Sequence, residues 1–287
     1  MVNEPPRYSR RRKVGALVSF LDLPAVQVWV AAASLGLAFA VQSARVPYLT
    51  VFLSLVAMSC LFMYLMAIND YFDSEIDKEK HQFSALVTGA LSKGRAAIAI
   101  VVTCLIGLGA SLFVSSWFLI FSLLIFCDST LYSAPPVRMK EVFPVSTISE
   151  LVGGYLLLPL GASVASLPNP QVFAISFVPF LVAASLRLAH ELKYVDFDRS
   201  TGKDTLAVVL GTRTLTKVVL VLPIIATILT LAFLFQGIIS LPFTVLTLSF
   251  IFLPLIVRAV IRSDAALRPI SYVWGFVFFV AAVFIVQ

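Results

Sequence analysis

The 287-residue chain is 60% hydrophobic and only 13% charged, with 21 Lys and Arg against 15 Asp and Glu and a formal net charge of +6. Soluble domains carry roughly a quarter charged residues, so water is excluded as the main solvent. The cations lie beside long apolar runs and among acids, a placement that accounts for the positive charge without nucleic acid as a partner.

Residues 1–22 form a basic N-terminal segment carrying Arg7, Arg10, Arg11, Arg12 and Lys13. A full-length apolar span follows, with no short apolar stretch ending in a small-residue cleavage site, so this span reads as a retained anchor. Runs long enough to cross a ~30 Å hydrocarbon core cover 24–41, 48–68, 95–114, 116–134, 143–165, 170–190, 216–236, 241–261 and 270–286. They predict an all-α integral membrane fold: nine transmembrane helices around a central cavity, in one domain over 23–287. Cytoplasmic loops retain Lys and Arg. With nine crossings and the N-terminus inside, every Lys and Arg except Arg45 falls on the cytoplasmic face. The expectation is a multi-pass protein of the cell membrane with its C-terminus outside. The far-side links are short, whereas long cytoplasmic segments follow helices two and six, at 69–94 and 191–215, and are expected to cap the cavity. Cys60, Cys104 and Cys127 lie in apolar stretches without metal-ligand spacing and read as small core residues.

All 15 carboxylates fall on the cytoplasmic face or in adjoining helix ends. Asn69-Asp70-Tyr71-Phe72-Asp73-Ser74-Glu75-Ile76-Asp77 continues directly from an apolar span and reads as a helix end. Asp70, Asp73 and Asp77 then share one face, with Asn69 one turn before Asp73. Stacked like charges at a helix C-terminus repel one another and oppose the macrodipole, so a cationic group is required. Glu191-Leu192-Lys193-Tyr194-Val195-Asp196-Phe197-Asp198-Arg199 ends a second apolar helix, and Glu191, Tyr194 and Asp198 repeat the same spacing. Thr88-Gly89 follows the first cluster and Thr201-Gly202 the second, a pseudo-repeat that brings two acidic faces to one surface. Hard carboxylate oxygens suit Mg²⁺, which takes few protein ligands and completes its shell with phosphate and water. Lys193, Arg199, Lys203, Arg138 and Lys140 are the cations available for phosphate oxygens.

These residues resemble the UbiA superfamily of intramembrane prenyltransferases. Asn69, Asp70, Asp73 and Asp77 match its N-D-x-x-D-x-x-x-D signature in full. Glu191, Asp198, Arg199 and Gly202 fit the second signature, with Tyr194 in place of the middle acid, a form similar to that of chlorophyll-synthase-like members. Tyr132-Ser133-Ala134-Pro135-Pro136-Val137-Arg138-Met139-Lys140 is similar to the family's Y-S-x-P-P-x-[RK]-x-K segment. The resemblance implies Mg²⁺ held by Asn69, Asp70, Asp73, Asp77, Glu191 and Asp198. It implies a polyprenyl diphosphate donor gripped by Arg138, Lys140, Lys193, Lys80 and Arg199, and turnover dependent on Asp73, Asp198 and Tyr132. The acceptor is a hydrophobic molecule: a quinone-precursor aromatic acid, a chlorin or a prenylglyceryl phosphate. One departure concerns Ser84, which stands where the family has a diphosphate-contacting arginine; Lys80, His81 and Lys93 are the candidate substitutes. The rival class is a lipid-binding or transport protein using the acids for ion coupling, although transporters carry such groups near the bilayer midplane.

Three further residues stand out. Glu150, in an otherwise apolar helix, needs a partner, either the acceptor or a basic side chain. Asp128 and Tyr132 lie one turn apart and are expected to face the cavity. His190 reads as a structural hydrogen-bonder.

Overall fold

A computed structural model describes residues 10–74, 84–240 and 244. The elements run α1 Arg10–Phe20, α2 Leu23–Ser43, α3 Tyr48–Asp73, α4 Lys93–Leu112, α5 Ser116–Ser133, a 3₁₀ turn Met139–Glu141, α6 Val145–Ala162, α7 Pro170–Ser200, α8 Leu206–Leu210 and α9 Thr212–Phe235. Seven of these helices, α2 to α7 and α9, match the first seven predicted spans. Six, α3 to α7 and α9, are long and apolar enough to cross a membrane, and α2 contributes the apolar stretch Trp29–Val41. The predicted spans 241–261 and 270–286 fall outside the described residues, Thr244 excepted.

The helix boundaries follow local chemistry. Ser115 caps α5, its hydroxyl accepting from the Phe118 amide at 3.0 Å, and α5 stops before Pro135-Pro136, whose rings disfavour helix in the preceding residue. Asn169 caps α7 in the same way, accepting from Val172 N at 3.0 Å, with Pro170 at the first helical position. At ~1.5 Å per residue, the 31 residues of α7 span ~46 Å and the 26 of α3 ~39 Å. Both exceed the ~30 Å apolar core, so their C-terminal turns can carry the acidic residues beyond it.

The bundle is held by close backbone approach and by hydrogen bonds between helices. A Cβ on Gly36 of α2 would lie 1.9 Å from the Leu158 carbonyl oxygen, and one on Gly161 of α6 1.8 Å from that of Ala33. These reciprocal contacts bring α2 and α6 together along a seam of small residues, the usual basis of helix association in lipid. Ser111 bonds Ser122 at 3.0 Å, Tyr64 bonds Thr130 at 2.8 Å, and Ser185 donates to the Val219 carbonyl at 2.8 Å. Each pairs two polar groups that hydrocarbon cannot solvate.

The sequence repeat has a structural counterpart. Gly89 and Gly202 both adopt φ of 69°, a left-handed conformation that glycine takes without Cβ strain. The preceding threonines each donate their hydroxyl to the carbonyl four residues back, Thr88 to Ser84 at 2.9 Å and Thr201 to Phe197 at 3.0 Å. The first turn then folds inward: Ala85 and Leu91 are buried with Ala67, Ala96, Ala16 and Phe20. Helix α1 thus docks onto the ends of α3 and α4, an element missed when 1–22 is read as a basic tail. One core assignment also changes, because Cys127 is exposed whereas Cys60 and Cys104 are partly buried.

Candidate active site at one end of the bundle

The C-terminal turns of α3, α5 and α7 and the start of α6 meet at the same end of the bundle. Between α5 and α6, Arg138 adopts φ of 41°, a left-handed conformation that is costly for a residue with a Cβ and typical of constrained sites. The short 3₁₀ turn follows, and both cations of this link reach back to α3. Lys140 Nζ lies 2.5 Å from Asp73 Oδ1 and 3.0 Å from Asn69 Oδ1. Arg138 Nη2 lies 3.2 Å from the same Asp73 oxygen, and its Nε lies 2.9 Å from Glu141 Oε1. Ser133 approaches Asn69 Oδ1 at 3.4 Å. Lys140 is buried, at 8% exposure. An ammonium can be sunk this deep only with anionic or carbonyl partners, and Asn69 and Asp73 supply them.

A second cluster lies beside the first. The Tyr132 hydroxyl donates to Glu150 Oε1, and Glu150 Oε2 pairs with Arg187 Nε. Arg187 Nη2 lies 3.5 Å from Glu191 Oε1, and Glu191 Oε2 accepts the Ala207 amide of α8 at 3.3 Å. The chain of contacts therefore runs from the end of α5, through α6 and α7, to the short helix α8. Tyr132 also lies near enough to Asp73 and Glu191, as well as Arg187, to feel their charges.

Along one face of α7, spaced by three or four residues, come Phe173, Phe177, Phe180, Ala184, Arg187 and Glu191. The aromatic members pack with Tyr155 of α6, its ring 5.2 Å from Phe177 and 6.1 Å from Phe180. An aromatic wall therefore leads up to the charged end. Asp128 does not join the chain; it accepts from Ser149 at 2.7 Å at the α5–α6 contact.

Asn69, Asp73, Arg138 and Lys140 are brought together, and Tyr132 and Glu191 stand beside them. Glu191 and Asp198 are buried on a common face of α7, whereas Lys193 and Arg199 are exposed away from it. Lys193 lies over the Tyr194 ring at 5.2 Å, and Arg199 pairs with Asp196 at 3.8 Å. Asp70 is half-buried on α3. Asp77 and Lys80 lie outside the described residues, and among the described residues no three Asp, Glu, His or Cys side chains converge as a metal cluster. His190 is exposed with its ring 4.9 Å from that of Tyr194. Of Glu150's two candidate partners, the basic side chain is present and is Arg187. Sequence reasoning missed Arg187 as a site residue because it counted only as one more cytoplasmic cation; its spacing of four from Glu191 was the available signal.

Comparison with known proteins gives a consistent picture. The model of the UbiA prenyltransferase family matches residues 28–285. Chlorophyll synthase of Arabidopsis thaliana is 27% identical over 164 residues, covering 54% of this chain and 42% of that protein. Digeranylgeranylglyceryl phosphate synthase of Methanopyrus kandleri is 29% identical over 184 residues, covering 63% and 65%. The chain thus matches about half the length, or less, of the chlorophyll synthases. The structure of a UbiA homolog from Archaeoglobus fulgidus bound to GPP and Mg²⁺ has the same fold, with a TM-score of 0.75, 19% identity, and coverage of 94% of this chain and 99% of that one.

Proposed function

The chain belongs to the UbiA prenyltransferase family, and from that premise we propose that it is an intramembrane prenyltransferase moving a polyprenyl group from its diphosphate to a hydrophobic acceptor. The observation that carries the reading is the meeting of Asn69 and Asp73 with Arg138 and Lys140 at one end of an apolar bundle. Two cations converge on one carboxylate oxygen, a grouping that suits an anion with several oxygens. Guanidinium and ammonium groups suit phosphate, the first by its planar fork and the second as a point charge.

The donor set also fits Mg²⁺. Asn69 Oδ1 and Asp73 Oδ1 already converge on one cationic atom, and both are hard oxygens of the kind Mg²⁺ prefers. Asn69, Asp70, Asp73 and Asp77 would hold the ion on one side, and Glu191 and Asp198 on the other. Bound there, it supplies charge neutralisation to the leaving diphosphate.

Arg138 and Lys140 hold the phosphate oxygens while the prenyl tail lies along the aromatic face of α7. The bond from C1 to the diphosphate oxygen breaks, and the allylic cation is captured by an aromatic carbon or hydroxyl oxygen of the acceptor, which loses a proton. Tyr132, fixed by Glu150, orients the reacting end between the two clusters. Water would quench the cation, so its exclusion is part of the chemistry, a task that falls in this reading to the loops 78–94 and 199–215. The acceptor is of the chlorin, aromatic-acid or prenylglyceryl-phosphate class. The N-terminus and the site are cytoplasmic and the C-terminus is outside, as positive-inside placement of Lys and Arg requires.

The test is incubation of membranes containing the protein with labelled geranylgeranyl diphosphate and each acceptor class, in Mg²⁺ or in chelator. Mg²⁺-dependent transfer to one class is expected. Absence of transfer together with Mg²⁺-dependent ion or lipid movement would assign the protein to transport instead.

A further inference from the structure

Lys140 Nζ takes the Oδ1 atoms of both Asn69 and Asp73, at 3.0 and 2.5 Å. The two acceptors sit one helical turn apart on a single face of α3, and they are the oxygens a divalent cation would use. The lysine is buried and its Asp73 partner is shared with Arg138 at 3.2 Å. One carboxylate oxygen therefore already has two cations against it. A divalent ion on the same two oxygens would occupy the space of the ammonium and be repelled by it at contact distance. The ammonium and the ion exclude one another.

Resting on the reading above, we propose that Lys140 is a competing cation which keeps the Asn69–Asp73 pair closed to metal until a diphosphate draws the ammonium onto its own oxygens. The diphosphate then brings both a new partner for Lys140 and further ligands for the ion. Metal and donor thus enter together, and neither holds the site well alone. Four methylene groups allow the ammonium to move between oxygens a few ångströms apart without backbone change. Arg138 keeps its Asp73 contact, anchored by its second ion pair with Glu141, and offers its remaining N–H groups to the phosphate oxygens.

The proposal reverses the usual expectation for removing a charged residue from a site. The measurement uses the full-length protein in detergent, with Mn²⁺ as the probe because oxygen sites that suit Mg²⁺ also take it. Mn²⁺ affinity is read by electron paramagnetic resonance, with and without geranyl diphosphate. Lys140→Gln is expected to bind Mn²⁺ alone ~10-fold or more tightly than wild type, the loss of a competitor whose charge-assisted bonds are worth that factor, and to bind geranyl diphosphate more weakly. Lys140→Arg, which keeps the charge, should stay at the wild-type Mn²⁺ affinity. Unchanged or weaker Mn²⁺ binding by Lys140→Gln overturns the proposal while leaving the prenyltransferase reading intact. Wild type that binds no geranyl diphosphate in Mn²⁺ overturns both. If Lys140→Gln is unstable, Mn²⁺ alone should raise its melting temperature more than that of wild type, since the ion replaces the missing ammonium; an equal rise counts against the idea.

Discussion

Glu150 of α6 and Arg187 of α7 form an ion pair inside the bundle, each side chain about a quarter exposed, at 24% and 25%. The pair is not symmetric in its consequences. Arg187 serves two carboxylates, Glu150 and Glu191, whereas Glu150 is also satisfied by the Tyr132 hydroxyl. Arg187→Met therefore takes the shared cation from partly buried Glu150 and buried Glu191 at once, while Glu150→Gln leaves Arg187 still paired with Glu191. Breaking a buried pair costs ~3–5 kcal/mol, and partial exposure places this one toward the lower end. Melting in detergent should fall clearly for Arg187→Met and little for Glu150→Gln, and the double variant should recover part of the loss. Equal destabilisation by the two single changes would contradict the arrangement.

The α2–α6 crossing makes a second prediction, with an internal control. Ala is a better helix former than Gly by ~1 kcal/mol, so Gly→Ala in an open helical position is neutral or stabilising. At Gly161 and Gly36 the added Cβ would sit within 2 Å of a backbone carbonyl oxygen, where neither helix can yield without separating. Gly161→Ala should lose the monodisperse peak in detergent size-exclusion chromatography. Gly109→Ala, where nothing lies within 4 Å of the new atom, should keep it. An intact Gly161→Ala peak would mean that the two helices are not in backbone contact.

These two relationships mark the limit of what the sequence discloses. Hydropathy locates seven described helices because a span needs only length and apolarity, and both are local. The Thr-Gly turns are legible for the same reason: a left-handed glycine and a threonine hydroxyl bonding four residues back are settled within six residues. Lys140 and Asn69 are 71 positions apart and Glu150 and Arg187 are 37 apart; their meeting depends on which helices pack, which no window reports. The resemblance supplied the first pair as members of neighbouring motifs, but the second belongs to neither motif. Helix α1 escaped because its 11 residues are too few and too basic to read as a span. What fixes it is burial of Phe20 and Ala16 against α3, α4 and the turn between them.

Asp73→Ala and Asp198→Ala should each abolish nearly all prenyl transfer while the protein remains folded. Asp73 joins the two cations of the α5–α6 link to α3, and Asp198 is buried on the Glu191 face of α7. Asp264→Ala, outside every motif, should be close to wild type. Labelled-donor incorporation with thermal melting separates lost chemistry from lost fold. Retained turnover in either of the first two variants would remove that residue from the site.

A reporter fused after Gln287 should be found outside the cytoplasm and one inserted near Asp264 inside it. The expectation follows from the proposed nine crossings, which with the N-terminus inside put every Lys and Arg but Arg45 on one face. The opposite result at either point would break the odd number of crossings.

Ser84 offers a test of how the donor is gripped. It opens the turn before α4, and its carbonyl accepts both the amide and the hydroxyl of Thr88, each at 2.9 Å. These bonds use backbone atoms, so a change of side chain leaves the turn in place. The resemblance puts a diphosphate-contacting arginine at this position. If the contact has simply been lost, Ser84→Arg restores a charge-assisted bond worth ~1.5–3 kcal/mol and lowers the donor's apparent KM by at least ~10-fold. If Lys80 has assumed the role, the added arginine is neutral or harmful alone but partly rescues Lys80→Ala, a non-additivity expected of residues that share one ligand. Initial rates against donor concentration for the two single variants and the double variant distinguish the cases. Strict additivity of Ser84→Arg and Lys80→Ala, with neither altering KM, would show that this turn takes no part in holding the diphosphate.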